Sequence, residues 1–363
     1  SVGFLGYPWG LIAYPVGQPL VVAQIVDTVG IWGLSFIGAS ANASIAQWLH
    51  VRRKTGATPS LRSRPSVAVL AVVALYVGAA GYGAVRLRQP KSETVPLSVL
   101  LVQQNRDSWA PGSFADALAG LQRLTRSGVE QCESVDMIVW SETSLRYPYQ
   151  GLDWYNTNPK PTPFRRFLSQ LDSTLLTGAP RAHPNGRDYM NGALMIQPDG
   201  SVVGPYAKRQ LVPFAESIPF WNSSLVQAFF ERAVGLTGTW VPGPEFNVMT
   251  LPGSLLRVGT PICFEDAFGY VGRRFALAGA NLQVNLTNNS WSKQDSAQIQ
   301  HFVAARFRAI ETRRPLVRGT NSGLTTVVLP SGRVQMELPM FVAETACVTV
   351  PVPIDPPRTL YVV

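Results

Sequence analysis

The sequence predicts an α/β domain attached to transmembrane helices, and three observations carry that prediction. Two uncharged runs, one within residues 31–49 and one over residues 66–85, match the ~20 residues a helix needs to cross a bilayer. The stretch between them, His50 to Arg64, holds five basic residues and no acidic one. Beyond Val95, short β-type runs alternate with amphipathic helical ones, the pattern of a layered α/β architecture.

Residues 1–33 are rich in Gly and Pro and end in the apolar run Leu20–Val29. No basic region precedes them and no small-residue cleavage site follows, so they are not a signal peptide. The chain starts without Met, and its true beginning is expected to lie upstream. The first span, extended through Ile31 and Trp32 to Leu49, carries Gly38, Ala39, Ser40, Ala41 and Ser44, small residues that suit close helix packing in lipid. The second runs from Ser66 to Val85. The competing reading is a buried hairpin of core helices. The basic loop places the connection in the cytoplasm, so everything after Val95 is expected outside, on the periplasmic face of a bacterium. Three regions follow: a membrane region (1–95), an α/β domain (96–354), and the start of a linker (355–363).

Within the domain, Leu97–Val102 and Val135–Trp140 read as buried strands with the helix Phe114–Val129 between them. Thr174–Thr177 is a short strand, and Ala193–Ile196 and Val202–Tyr206 form a hairpin around Pro198-Asp-Gly-Ser201. Leu255–Phe268 is an apolar strand leading through Cys263 into the helix Tyr270–Leu277. Leu282–Leu286, Leu316–Gly319, Leu324–Leu329, Val334–Glu337 and Cys347–Val350 are further strands, and Gln298–Ile310 is a helix with one core face. Two aromatic segments, 146–155 and 219–230, do not fit this core; they meet a membrane, ligand or partner, or form satellite cores under loops.

Composition narrows the function. Hydrophobic residues make up 46% and charged residues 15%, which points to membrane contact, and the net charge of +9 suits anionic lipid headgroups. No nucleic acid is expected as a partner, since neither a binding motif nor basic residues interleaved with exposed aromatics occur. Cys132, Cys263 and Cys347 leave at least one free thiol, with the pairing and the redox compartment open. His50, His183 and His301 stand apart from one another and from the cysteines, so no metal is expected. No dinucleotide fingerprint, phosphate-binding loop or serine elbow appears, and no cofactor is expected.

Cys263 sits at a strand-to-helix corner, where a helix N-terminus would bias it toward thiolate and offer donors to an oxyanion. A buried structural cysteine is the alternative. A nucleophile needs a base, and no histidine lies at a comparable strand end. Glu142, in Ser141-Glu-Thr143, and Lys208, after the hairpin, do. Read alone, Glu142 is equally a cap or ion-pair partner and Lys208, beside Arg209, a solvated charge.

Glu142, Lys208 and Cys263, in that order, resemble the Glu-Lys-Cys triad of the nitrilase superfamily. Narrower words accompany them: Gly3-Phe-Leu-Gly-Tyr-Pro-Trp9, Leu211-Val-Pro-Phe-Ala-Glu216, Ile262-Cys-Phe-Glu265, Asn285-Leu-Thr-Asn-Asn-Ser-Trp291 and Arg314-Pro-Leu-Val-Arg-Gly-Thr-Asn-Ser-Gly323. With the spans, they resemble the apolipoprotein N-acyltransferases over nearly the whole chain. The resemblance implies a nitrilase-like αββα sandwich on a membrane bundle. It implies a ping-pong reaction in which a phospholipid acyl donor forms a thioester on Cys263 and a diacylglyceryl apolipoprotein acceptor takes the acyl group. Glu142 would be the general base and Lys208 the oxyanion-stabilising cation. Glu216 and Glu265 match supporting carboxylates, and Trp109 and Asn191 substrate-side positions. Phe264 stands where the family shows tyrosine, so a role for that hydroxyl is missing. The family also has spans before residue 1 and after Val363, which makes the chain an internal fragment. Residues 220–230 are expected to be a mobile arm dipping into the bilayer. Two alternatives remain: a membrane-tethered amidase acting on small C–N substrates, against which the aromatic segments argue, and a non-catalytic lipoprotein-binding module.

Overall fold

Strand β1 (Thr94–Gln103) sets the layering. Alternate residues of a strand face opposite sides, and here Val99 and Leu101 enter one apolar cluster while Leu100 and Val102 enter another. A strand covered on both faces reads as a continuous apolar run, as this one does. The structure is a computed structural model that describes residues 6–89, 92–107, 112–234 and 238–363.

One six-stranded sheet combines β1 with β2 (Met137–Val139), β3 (Thr174–Ala182), β4 (Tyr189–Ile196), β5 (Val202–Ala207) and β12 (Glu344–Pro353), in the order β12-β1-β2-β3-β4-β5. The other contains β6 (Val248–Thr250), β7 (Arg257–Gly259), β8 (Leu282–Thr287), β9 (Leu316–Thr320), β10 (Thr326–Val328) and β11 (Val334–Glu337), in the order β11-β10-β9-β8-β7-β6. In both, parallel strands form the centre (β1-β2-β3 and β7-β8-β9) and antiparallel strands the flanks. Val99, Val139, Leu176 and Met195 of the first sheet share the central core with Val258, Val284 and Val317 of the second.

In the N-terminal region, α1 (Ala13–Val16) and α2 (Leu20–Ala23) precede two long helices, α3 (Val26–Thr55) and α4 (Arg64–Arg88). Helices α5 (Phe114–Glu130), α6 (Trp154–Thr157) and α7 (Phe164–Leu168) cover the first sheet's outer face. Ser113 caps α5 by accepting from the Asp116 N–H (3.0 Å), and Leu118, Leu121 and Thr125 give it one buried stripe. After α8 (Ser224–Val234), α9 (Gly269–Leu277) and α10 (Asp295–Thr312) cover the second sheet. The four layers are those the resemblance implies.

Both long helices are apolar enough to cross a membrane, with mean hydropathy 1.3 and 2.0, and only 22% and 11% of their most apolar stretches are buried. A buried core hairpin would hide most of that surface, which these helices leave exposed. Their inner ends dock on the domain through polar groups. Asp27 of α3 accepts from Tyr82 (2.7 Å) and Arg86 (2.9 Å) of α4 and from Arg313 (2.6 Å) at the end of α10. At Gly30 (φ 64°) α3 breaks, and the freed groups find new partners: Ile31 N–H donates to Glu311 (3.0 Å), and Tyr361 N–H donates to the Asp27 carbonyl (2.9 Å). Residues 355–363 therefore pack against this joint, with Val362 buried.

Several sequence expectations shift. β2 is shorter than expected, while β3 runs on to Ala182 because it pairs with β4 through Tyr189; Pro180 and Arg181 had interrupted the apolar pattern that signals a strand. The segment 146–155 is an exposed loop anchored by two core residues: Tyr149 and Tyr155 are buried against Phe164. The segment 219–230 is exposed, with Phe220, Leu225 and Phe229 at 84%, 82% and 64%. Cys132 and Cys347, left open above, form a disulfide that ties the end of α5 to β12.

Candidate active site

Glu142 reaches the site from the end of β2. Its backbone crosses β3 at Gly178, where a side chain would collide with Glu142 Cα (2.6 Å) and the Thr143 nitrogen (2.5 Å). The carboxylate is buried and accepts from Asn191 Nδ2 and from the Asn288 backbone N–H, each at 2.8 Å.

Lys208 follows β5, where its N–H donates to the Asn191 carbonyl (2.8 Å). Its side chain is fully buried, with Nζ 2.9 and 2.8 Å from the two Glu216 oxygens and 3.6 Å from Glu142. Burial alone would lower its pKa, but the Glu216 charge, with Glu142, outweighs that and holds it above the ordinary lysine value. The cation is thus permanent. Asn191 Nδ2 also donates to Glu216 (3.0 Å), so one amide bridges both carboxylates.

Cys263 lies after β7. Ile262 is extended, Cys263 has φ 52°, and residues 263–267 form a single 3₁₀ turn. A non-glycine residue at positive φ stores strain of the kind often kept at functional sites. Asn285 Nδ2 holds the Cys263 carbonyl (3.1 Å). The thiolate bias expected from a helix N-terminus is corrected here, because a five-residue 3₁₀ turn offers no long aligned helix. Desolvation, then the Glu142 charge, pushes the thiol pKa well up, and Lys208 offsets this only in part. The resting group is a neutral thiol that needs a base.

Glu265 is fully buried and accepts from Tyr206 OH (2.9 Å) and from the backbone N–H groups of Arg209 (2.8 Å), Gln210 (3.0 Å) and Ile262 (2.8 Å). It ties the cysteine's turn to the lysine's loop. Phe264 stacks on Tyr7 (5.1 Å between ring centroids). The structure therefore brings Glu142, Lys208, Cys263, Glu216, Glu265 and Asn191 into one constellation. Trp109 lies outside the described residues.

Sequence reading assigned no role to Asn288, or to a support beneath the turn in which Asp266 meets His301 (2.7 Å) and Arg318 (3.1 Å). The available signal was polar residues embedded in apolar strands, Asn285 in β8 and Arg318 in β9. A cleft of about 310 Å³ opens beside Glu142, lined by Arg106, Phe114, Arg146, Trp240 and Asn288. The exposed arm around α8 springs from the same place, since Trp240 N–H and Thr239 Oγ1 both donate to the Glu216 carbonyl (2.9 and 2.7 Å).

Residues 99–353 match the carbon-nitrogen hydrolase family. Among solved structures, Nit3 of Saccharomyces cerevisiae, from branch 10 of the nitrilase superfamily, aligns with TM-score 0.52 at 16% identity over 72% of this chain and 92% of its own. An amidase of Nesterenkonia AN1 from that superfamily aligns with TM-score 0.51 at 18% identity over 72% and 92%. These show a shared fold. The chain is 38% identical to apolipoprotein N-acyltransferase 2 of Treponema pallidum, over 97% of this chain and 67% of that protein. The protein of the same name from Treponema denticola is also 38% identical, over 97% and 68%. The apolipoprotein N-acyltransferase of Borreliella burgdorferi is 30% identical over 94% and 64%. The chain thus spans about two thirds of the length of these relatives, and it belongs to the apolipoprotein N-acyltransferase family of the nitrilase superfamily.

Proposed function

We propose that the chain is the catalytic part of an enzyme that N-acylates the diacylglyceryl-cysteine of bacterial apolipoproteins, taking the acyl group from a phospholipid. The observation that carries this reading is a partly buried thiol beside a buried cation and a buried carboxylate, at the foot of an exposed apolar arm. In the first step Glu142 takes the Cys263 proton as sulfur attacks the ester carbonyl. Lys208 stabilises the oxyanion, and the lysophospholipid oxygen leaves with the proton from Glu142. In the second step the α-amine attacks the thioester, loses a proton to Glu142, and the thiol is restored. A thioester keeps the ester's activation, so no nucleotide is consumed, and two bulky substrates can use one site in turn.

Glu216 and Glu265 position the lysine and the turn, and Asn191 bridges Glu142 and Glu216 through its amide. Residues 219–234 serve as a membrane-dipping arm controlling lipid access, which their exposed Phe220, Leu225 and Phe229 support. The first 95 residues are assigned to the inner membrane and residues 96–354 to the periplasmic face. The Cys132–Cys347 disulfide supports that side, because such bonds persist in oxidising compartments. The amidase alternative keeps the same triad but leaves the arm without a purpose.

The test offers the detergent-solubilised protein phospholipid together with a diacylglyceryl-cysteine peptide, and separately small amides. Mass spectrometry should show the peptide gaining one acyl chain. Amide hydrolysis without acyl transfer would replace this reading with the amidase.

A further inference from the structure

The cleft beside Glu142 contains four charged side chains: Arg106, Asp107, Glu142 and Arg146. Its two carboxylates already face cations, Asp107 with Lys293 at 2.9 Å and Glu142 with Lys208 at 3.6 Å. The two arginines have no carboxylate partner among the described residues. The Arg106 guanidinium donates to the Ser113 carbonyl (3.3 Å), and Arg146 is exposed. The cleft therefore presents two guanidinium groups with no paired carboxylate among the described residues, next to the proposed base.

Arg106 is also built in. Its backbone N–H donates to Asn321 Oδ1 (3.0 Å) and its carbonyl accepts from Asn321 Nδ2 (2.6 Å). Asn321 Nδ2 reaches Asn288 Oδ1 (3.1 Å), and Asn288 N–H holds Glu142. One hydrogen-bonded chain thus fixes the arginine relative to the carboxylate. Its guanidinium lies over Gly112, where an added Cβ would sit 2.7 Å from Nη2.

We propose that Arg106 and Arg146 seat the phosphodiester of the acyl-donating phospholipid, so that its ester carbonyl is delivered to Cys263. This rests on the acyl-transfer reading above. Guanidinium groups match phosphate oxygens in charge and in forked geometry. The acceptor's reacting end carries an ammonium group, which two guanidinium groups repel, so the pair suits the donor. It also suits a phosphodiester more than any particular headgroup beyond it.

The experiment measures acyl loading of Cys263 by intact mass in the full described chain, with two donors: phosphatidylglycerol and p-nitrophenyl palmitate, which has no phosphate. The ratio of the two loading rates is compared between wild type, Arg146→Gln, the double variant Arg106→Gln/Arg146→Gln, and Arg106→Lys/Arg146→Lys. The ratio should fall roughly 10-fold for each guanidinium removed and recover in part with lysine, since one charge-assisted hydrogen bond is worth about that much. An unchanged ratio overturns the proposal. So does normal loading with slow discharge to a diacylglyceryl-cysteine peptide, which would assign the arginines to the acceptor. Wild type that loads from neither donor would overturn the acyl-enzyme itself, an outcome distinct from a flat ratio. Arg146 is exposed, so its single variant keeps the test valid if the double variant folds poorly.

Discussion

Replacing Glu142 with glutamine keeps nearly the same volume and removes one negative charge. The carboxylate now takes two donors, Asn191 Nδ2 and Asn288 N–H, each at 2.8 Å. Glutamine can offer one oxygen. The Asn288 donor is backbone and fixed, so the new oxygen stays there and the new NH₂ faces the Asn191 amide. Asn191 Oδ1 has no hydrogen-bond partner, so turning that amide over satisfies the glutamine and gives up the 3.0 Å bond to Glu216. The net change is one hydrogen bond, about 1 kcal/mol, and the fold survives. The chemistry does not, because losing a general base costs roughly 10²–10⁴ in rate, about 3–5 kcal/mol of barrier. The Glu142 charge is also one cause of the raised thiol pKa, so its removal frees thiolate. Glu142→Gln should therefore load acyl from phospholipid at least 100-fold more slowly while reacting faster with iodoacetamide at pH 8, both read by intact mass at Cys263. If loading and alkylation slowed together while the melting temperature held, Glu142 would not be the base and the reasoning would be wrong.

Lys208→Met leaves Glu142 and Glu216 without their cation; loading should fall roughly 10²–10³-fold, and melting in detergent should show a loss of about 3–5 kcal/mol from the broken buried pair. Asp27→Ala strands Arg86 and Arg313, and the same melting assay should register a loss of similar size, about 3–5 kcal/mol. Phe229→Ser with Phe230→Ser alters an exposed segment, so melting should hold within about 0.5 kcal/mol while turnover of vesicle-borne lipid drops; unchanged lipid turnover would remove the arm's role. Burial raises the Asp266 pKa, but His301 and Arg318 outweigh it and leave the value below the ordinary one. That carboxylate therefore stabilises the fold in full above about pH 4 and loses its contribution as pH falls through the depressed value. The melting gap between wild type and Asp266→Asn should accordingly stay constant from about pH 4 to 6 and close below it.

A layered α/β architecture was legible because short apolar strands alternate with amphipathic helices and β1 is apolar on both faces; the αββα order itself came from the family resemblance. Glu142, Lys208 and Cys263 were legible because each follows an apolar run and stands in a word of fixed order. What holds them was not. Asn288 acts through its backbone N–H, a group every residue but proline carries. Glu265 was recognisable as a carboxylate, but three of its four donors, on Tyr206, Arg209 and Gln210, lie 55 to 59 residues away and only the fold brings them near. The Cys132–Cys347 pair is separated by 215 residues, and no spacing rule reaches that far. The thiol's protonation was misjudged because a strand followed by a helix does not reveal that a 3₁₀ turn stands between them. The two aromatic segments have similar composition, yet the first is anchored in the core by Tyr149 and Tyr155 and the second is exposed. Their difference lies in Phe164, against which both tyrosines pack.

The central claim is that Cys263 carries the acyl group, and intact-mass spectrometry after incubation with phospholipid tests it most directly. The account predicts one added acyl mass that hydroxylamine removes and that Cys263→Ala lacks. An adduct that persists in Cys263→Ala, or acyl transfer to the peptide by that variant, would contradict it.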